Sequence, residues 1–432
     1  MIQQEIAEYT LENLKKAGAD KAACTVTRGR KEEFNVEAGK FSLLRTLFDD
    51  ELVLKAICSN KKGVTAINKL DKDSIDKAVK ECVSLAHSSI PDEAEDIAEK
   101  VENKTFDHGV SGPDMDGLFL KTKEFIEQAG DEYPKLMLEN VISDYNTAHT
   151  TYLNSNGVEF HESKEYYNVS TLFSAGDGEK ASSFNYYDAA LKSPDIPFLD
   201  LGMHRTLIDE SVRSLDTRMV DNKFVGKVIV TPACDDMVWG TIFSCFLTDR
   251  PLVEGTSRWK DALGSKVADS KLTVRLAPFH PGVIAGERIT SDGYESQNID
   301  IIREGILSTF LLSLYGSRKT GHPRAGSSAY HNIEVASGNT SLADMIKSID
   351  RGILLNRFSG ASPGPSGDIS GVAKNSFLIE NGAVTDAISE TMVSFNIVDI
   401  LANIPAISKE RCENGRSILP WCCFDGVTIS GR

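Results

Sequence analysis

The sequence predicts an α+β protein: an N-terminal helix-and-sheet domain followed by a mainly antiparallel β C-terminal domain. Three observations predict it. In the first half, apolar residues at helical spacing alternate with runs in which polar and apolar residues take turns. From Lys227 onward the texture changes to short β-like runs separated by Gly, Pro and Ser, with few helical patterns left. A chain of 432 residues also exceeds what one ordinary core organises. We place the domains at 1–222 and 223–432.

The elements run in order along the chain. Ile2, Ile6, Tyr9, Leu11 and Leu14 fall near helical spacing, and AGAD at 17–20 ends that helix. Residues 22–68 read as several short strands, with turns at Ala38-Gly39, Asp49-Asp50 and Lys61-Lys62-Gly63 and one wet face. Asp71–Ser88 is a helix presenting Ile75, Ala78, Val79, Cys82 and Leu85 on one side. The acidic run PDEAEDIAEKVENK reads as an exposed, solvated connector. A helix over Met115–Gln128 leads into strands between Leu136 and Ala189, with a tight turn at Asn156-Gly157. FLDLGMHRTLIDESVRSLDTR is the next helix. In the second half SFLIENGAV is a hairpin with Asn381-Gly382 at its tip. The long Gly-, Ser- and Pro-rich segments HPRAGSSAYHN and FSGASPGPSGDISG read as functional lids or binding loops, a pattern they share with exposed linkers.

Composition narrows the function classes. A net charge of −16 disfavours direct contact with a nucleic-acid backbone, which needs a basic surface to displace counterions. No apolar run reaches membrane-spanning length and the first residues form an amphipathic helix rather than a leader, so the expected location is the cytoplasm, without membrane contact. The eight cysteines lack the spacing of a disulfide framework and read as buried free thiols.

One stretch invites a chemical reading. VIVTPACDDMVWGTIFSC, residues 228–245, begins as a buried strand and turns after Pro232 into a helix opened by Asp235 and Asp236. Acids at a helix start favour the macrodipole whether or not chemistry takes place there.

In order and spacing the second half resembles the TldD/PmbA family of metallopeptidases, also described as modulators of DNA gyrase. The resemblance runs through SDGYESQNIDIIREGILSTFLLSLYGSRKTGHPRAG at 291–326, then HNIEVASG, GDISGVAKNSFLIENGAV and CENGRSILPWCCFDGVTISG. The first half is similar more loosely, through EEFNVEAGKFSLLRT and NSNG. The resemblance implies two subunit types. One carries a His-Glu-x-x-x-His motif that holds zinc together with a later cysteine; the other, PmbA or TldE, lacks the motif and pairs with the first.

Aligned on Gly240, this chain has Cys234 and Asp235 at the His-Glu positions and Trp239 at the second His, a degenerate motif, while Cys412 stands at the ligand cysteine. Catalytic zinc takes about three protein ligands, a position left for water and a nearby base. An indole nitrogen carries its hydrogen and cannot be one of them. Asp235 could serve as the base. A rebuilt site would need Cys234, Cys412 and either His322 or His331, and the last three are also candidates to line a substrate cleft. Trp239 is either core or a plug where the metal would sit.

The resemblance therefore implies a PmbA/TldE-like pseudoenzyme subunit of a peptidase assembly, acting on peptides or unfolded segments. No metal is expected in this chain, with zinc held by a partner, either a TldD-like zinc peptidase paralogue or the second member of a homodimer. The alternatives are a stand-alone metallopeptidase with a nonstandard zinc site and a non-enzymatic regulator of DNA gyrase.

Overall fold

The computed structural model describes residues 2–110, 112–360 and 363–431, the Asp235 side chain excepted. The first half runs α1 (Gln3–Lys16), β1 (Lys21–Glu37), β2 (Lys40–Cys58), β3 (Lys61–Ile67), α2 (Lys72–Ser88), β4 (Lys104–His108), α3 (Met115–Glu132), β5 (Leu136–Asn154), β6 (Glu159–Ala175), β7 (Asn185–Leu191) and α4 (His204–Arg213). Its strands form one sheet in the order β3-β2-β1-β5-β6-β4, with β7 also on β6. All pairs are antiparallel except β4 with β6.

The strands are longer than the sequence suggested. Asp49 and Asp50 do not turn the chain; they sit inside β2, opposite Gly29 and Arg28 of β1. The turn after β2 uses Ser59 and Asn60, both at positive φ, and Lys61–Gly63 already belong to β3. Gly63 is required by packing: a Cβ there would come within 2.0 Å of the Cys82 carbonyl of α2. Leu85 faces solvent, and Val83 and Ala86 complete the apolar face of α2 instead. The Asn154–Val158 loop is a wider connection than a two-residue turn, because the Asn154 carboxamide accepts the amides of both Asn156 and Val158. Of residues 198–218 only His204–Arg213 is α-helical, since Gly202 takes a left-handed φ of +46° and breaks the path.

The acidic connector is the largest departure. Far from being a solvated run, Ala94–Ala98 is buried on the sheet face opposite α1 and α2, with Ile97 and Ala98 packed on Ala23, Tyr152 and Phe160. Its carboxylates are buried and paired, Glu95 with Lys55 and Lys62, Asp96 with Lys21 and Arg318. A charge removed from water persists in a fold when such partners and hydrogen bonds replace hydration.

The second half runs β8 (Thr217–Met219), β9 (Phe224–Val230), α5 (Trp239–Ile242), α6 (Asp249–Val253), β10 (Val274–Leu276), β11 (Ile299–Arg303), β12 (Ile306–Leu307), α7 (Leu314–Thr320), β13 (Ile333–Val335), α8 (Leu342–Lys347), β14 (Arg351–Leu355), β15 (Arg357–Gly360), β16 (Asp368–Lys374), β17 (Ser376–Glu380), β18 (Ala383–Ser389), β19 (Thr391–Asn396), α9 (Ile397–Ala402), β20 (Ala406–Glu413) and β21 (Ile418–Ser430). These strands make a second, mixed sheet, mostly antiparallel, ordered β12-β11-β10-β13-β21-β9-β14-β17-β18-β8. The strand β21 also carries β19 and β20, so it is the hub of the sheet. The β17–β18 hairpin turns at Asn381 and Gly382, both at positive φ. Among the described residues no helix is long and apolar enough to cross a membrane.

Contacts at several places lock the halves together, two of them at opposite edges. Asp92 accepts from Lys319 Nζ (2.9 Å) and the Tyr315 hydroxyl (3.1 Å) of α7, and Glu99 accepts from the Tyr294 hydroxyl (2.7 Å). At the other edge the Ala190 amide donates to the Asn414 carbonyl (2.8 Å), and Arg416 bonds Asp188 and Asn168.

Replacing Asp96 with Ala leaves Lys21 and Arg318 without their shared carboxylate and is expected to lower stability by about 1–3 kcal/mol in urea unfolding. Lys16→Ala, which breaks an exposed pair with Glu12, should leave the midpoint unchanged.

Candidate functional site

The chain reaches the site at the end of β9, a strand flanked by β14 in parallel and β21 in antiparallel register. The Thr231 amide still bonds the Leu355 carbonyl (3.1 Å), extending the ladder by one residue. Pro232 then lacks the N–H to continue it. The chain enters a tight turn over Pro232–Met237, kinked at Cys234 (φ −114°, ψ 24°), before the short α5 and a wide turn at Phe243–Leu247.

This kink separates the motif positions. Cys234 lines a groove of about 1200 Å³, together with Asp236, Gly240 and Phe243. Trp239 points the other way, into the core with Val230, Leu419 and Phe424, and is only 5% exposed. It is core and not a plug in the groove. The Asp236 carboxylate lies over Gly240 of α5, where a Cβ would meet its Oδ1 at 2.2 Å, which suits an acid at a helix start. The Asp235 backbone lies in the turn, and its side chain is outside the described residues.

The other candidates are elsewhere. Cys412, on β20 opposite Leu419, packs against the N-terminal core beside Tyr187, with its sulfur 3.0 Å from where a Cβ on Gly202 would stand. The His322 ring lies 5.0 Å from Phe310, and its carbonyl accepts from the Ser317 hydroxyl. His331 is exposed next to Tyr330. None of the three lines this groove. The physical reason lies in the local turns: Gly321 at φ +76° turns His322 back over α7, and β20 presents Cys412 to the first domain.

Residues that sequence reasoning passed over build the walls instead. Arg324, Ser327, Ser328 and Tyr330 come from the same loop as the two histidines, and Phe358, Gly360, Pro363 and Pro365 from the Pro-rich loop. Besides Asp236, four carboxylates fix these walls or face them. Asp249 accepts the amide of Ser313 (2.9 Å), Asp292 that of Leu314 (2.8 Å) and Arg324 Nη1 (3.2 Å). Glu287 gathers the Ser296 and Ser327 hydroxyls (2.7 and 2.9 Å) and the Ser328 amide (3.0 Å), while Glu254 pairs with Arg250 at the rim. The signal for these was spacing of polar residues between Gly and Pro, which marks a loop without saying which side chain turns inward.

Arg357 opens β15, whose other edge has no strand beside it among the described residues. Its guanidinium stacks 3.6 Å from the Phe184 ring, donates to the Phe184 carbonyl and lies near Cys234. Burial pulls it below its ordinary pKa, and it pairs with no described carboxylate. Beneath it Asn356 meets Glu210 of α4, a carboxyl raised to about 8, first by burial, with the Asn356 hydrogen bond pulling the other way. Glu210 Oε2 and Asn356 Oδ1 are buried without a partner among the described residues.

Among the described residues, which leave out the Asp235 side chain, no three His, Cys, Asp or Glu are grouped so as to hold a metal ion; Cys234 lines the groove and Cys412 packs on the N-terminal core.

The comparisons with known proteins agree with one another. Residues 225–431 match the family described as PmbA/TldA metallopeptidase C-terminal domain. Metalloprotease PmbA of Escherichia coli O157:H7 is 24% identical over 94% of this chain and 91% of its own, and the Metalloprotease PmbA homolog of Haemophilus influenzae is 22% identical over 99% and 96%. In structure the chain is similar to TldE from Thermococcus kodakarensis (TM-score 0.82, 19% identity, 99% of this chain and 100% of that one). It is also similar to a protein from Bacteroides thetaiotaomicron described as a candidate modulator of DNA gyrase (TM-score 0.85, 21% identity, 99% of each). The structural likenesses show the fold.

Because Glu210 holds its proton to about pH 8 when folded and releases it near 4.5 when unfolded, its burial adds no pH-dependent cost below 4.5 and costs stability increasingly as pH rises to about 8. Glu210→Gln is therefore expected to match the parent Tm at pH 5 within about 2 °C and to exceed it by several degrees at pH 8, read by calorimetry.

Proposed function

Since the chain belongs to the TldD/PmbA family of metallopeptidases, we propose that it is the PmbA/TldE-type subunit of a peptidase assembly, shaping the path of an extended peptide while a TldD-like zinc paralogue supplies the metal. One observation carries the reading: the kink at Cys234 sends the two ends of the degenerate motif to opposite sides, Cys234 into the groove and Trp239 into the core. A groove with no metal-holding cluster among its described residues can still hold a substrate.

Its chemistry suits an unfolded segment. The free edge of β15 offers backbone amides and carbonyls to a strand laid against it, a mode that gives affinity without demanding sequence. Phe358 and Tyr330 offer apolar surface beside that edge, and the Arg357 guanidinium is placed to receive a carboxylate. Zinc in the partner would polarise the scissile carbonyl and activate water. The residues of this chain hold and orient the segment that is cut.

The test is reconstitution. The chain purified alone under reducing, chelator-free conditions is expected to carry no zinc and to leave an unfolded peptide intact. Mixed with a His-Glu-containing paralogue it should support cleavage, and Arg357→Leu should raise the KM of the mixture roughly tenfold with kcat little changed. Zinc near one per chain, lost on Cys412→Ser, would instead establish the stand-alone peptidase. A pull-down in which DNA gyrase rather than a paralogue dominates would favour the regulator.

A further inference from the structure

We infer that the groove takes the free carboxyl end of a peptide, whose last residues add antiparallel to the open edge of β15 and whose terminal carboxylate docks on Arg357. This rests on the strand-addition reading above and makes the substrate class a chain end rather than an internal segment.

The sheet fixes where such a strand must stop. Only Asn356 separates β14 from β15. One register runs through both: Leu354 stands opposite Phe377 of β17, and Arg357, three residues on, stands opposite Lys374 of β16, three residues back. On the other side of β14 lies β9, paired in parallel from Gly352 with Lys227 to Leu355 with Val230. Carried two residues further, that register would set Pro232 beside Arg357. Pro232 has no N–H to offer, and the chain turns away over Pro232–Met237. The ladder position that β9 holds along β14 is therefore vacated along β15. There the groove is lined by Arg357, Phe358 and Gly360 from the strand and by Ala233 and Cys234 from the turn.

A strand laid in the vacated position is collinear with β9 and meets its end at Pro232. It cannot run on past Arg357. The first domain closes the same end, since the Phe184 carbonyl accepts from both Arg357 and the Asn375 carboxamide (3.0 Å). Beyond Gly360 the sequence reaches Pro363 and Pro365, which cannot donate, so the ladder grips four residues, the length of β15.

Charge decides which end of the peptide lies at the stop. The Arg357 guanidinium stacks on the Phe184 ring and pairs with no described carboxylate. Its planar fork matches a carboxylate through two parallel N–H···O bonds, whereas an ammonium there would meet a like charge. Backbone direction agrees with charge. Strand β15 runs from Arg357 toward Gly360, so a peptide whose carboxyl end lies at Arg357 is antiparallel to it, the more stable pairing. A side-chain carboxylate fits less well: the residue bearing it would need chain on its carboxyl side, where Pro232 and Phe184 stand. The substrates are thus carboxyl ends of the kind that an earlier peptide-bond hydrolysis exposes.

Fluorescence anisotropy with the full chain tests this. The probe is a short peptide of Ala, Ser and Val with a neutral dye on its amino end, prepared as the free acid and as the C-terminal amide. The free acid is expected to bind the unmodified chain roughly tenfold more tightly than the amide. Arg357→Leu should bring the free acid down to the affinity of the amide and leave the amide unchanged. The comparison of acid with amide on the unmodified chain stands whether or not that variant folds. Equal binding of the two would overturn the inference while the strand-addition reading survives. So would an amide ending in Glu that binds as tightly as the free acid, because a side chain would then supply the carboxylate. A preference that Arg357→Leu leaves intact would overturn the assignment to Arg357, and binding of neither peptide would overturn both readings.

Discussion

Two carboxylates taken out of water, Glu95 and Asp96, organise the contact between the sheets. Neither is stable in a buried place alone, so each must find cations, and those cations come from several parts of the chain. Lys21, Lys55 and Lys62 belong to the first sheet, and Arg318 to α7 of the second domain. With Asp92 holding Lys319 and Tyr315, the connector fixes α7 along its length. The start of α7 is fixed by Asp249 and Asp292, which are groove residues. The position of the groove wall thus depends on the electrostatics of a segment that carries no groove residue itself.

The same logic of constraint explains the motif region. A strand between two neighbours cannot bend until it leaves the ladder, and Pro232 sets where that happens. The segment beyond Pro232 is too short and too kinked to present residues on one regular helical face. Cys234 and Trp239 therefore diverge here, Cys234 to the groove and Trp239 to the core.

Much of the fold was legible because burial writes a period into the sequence. The helices α1, α2 and α3 and the hairpin at Asn381-Gly382 follow from local pattern alone. The misreadings share one cause, that a local pattern cannot see what lies across from it. Asp49 and Asp50 look like a turn until β1 supplies partners for their backbone. PDEAEDIAEK looks solvated until lysines from distant strands neutralise it. In the site, the loop bearing His322 and His331 forms a groove wall through Arg324, Ser327, Ser328 and Tyr330. Which residue of a loop turns inward is set by single backbone angles such as that of Gly321, and these leave no trace in composition.

The hub strand β21 has a consequence for biosynthesis. It comes after every other strand of its sheet in the chain yet lies between β13 and β9 and carries β19 and β20. During translation the second domain therefore waits, nearly all of its strands made but its central one missing, with apolar edges open on both sides of the gap. Synthesis of β21 therefore acts as a proofreading step for the sheet: a chain broken off before it is not a shortened domain but an unclosed one, the form that folding helpers and proteases are built to detect.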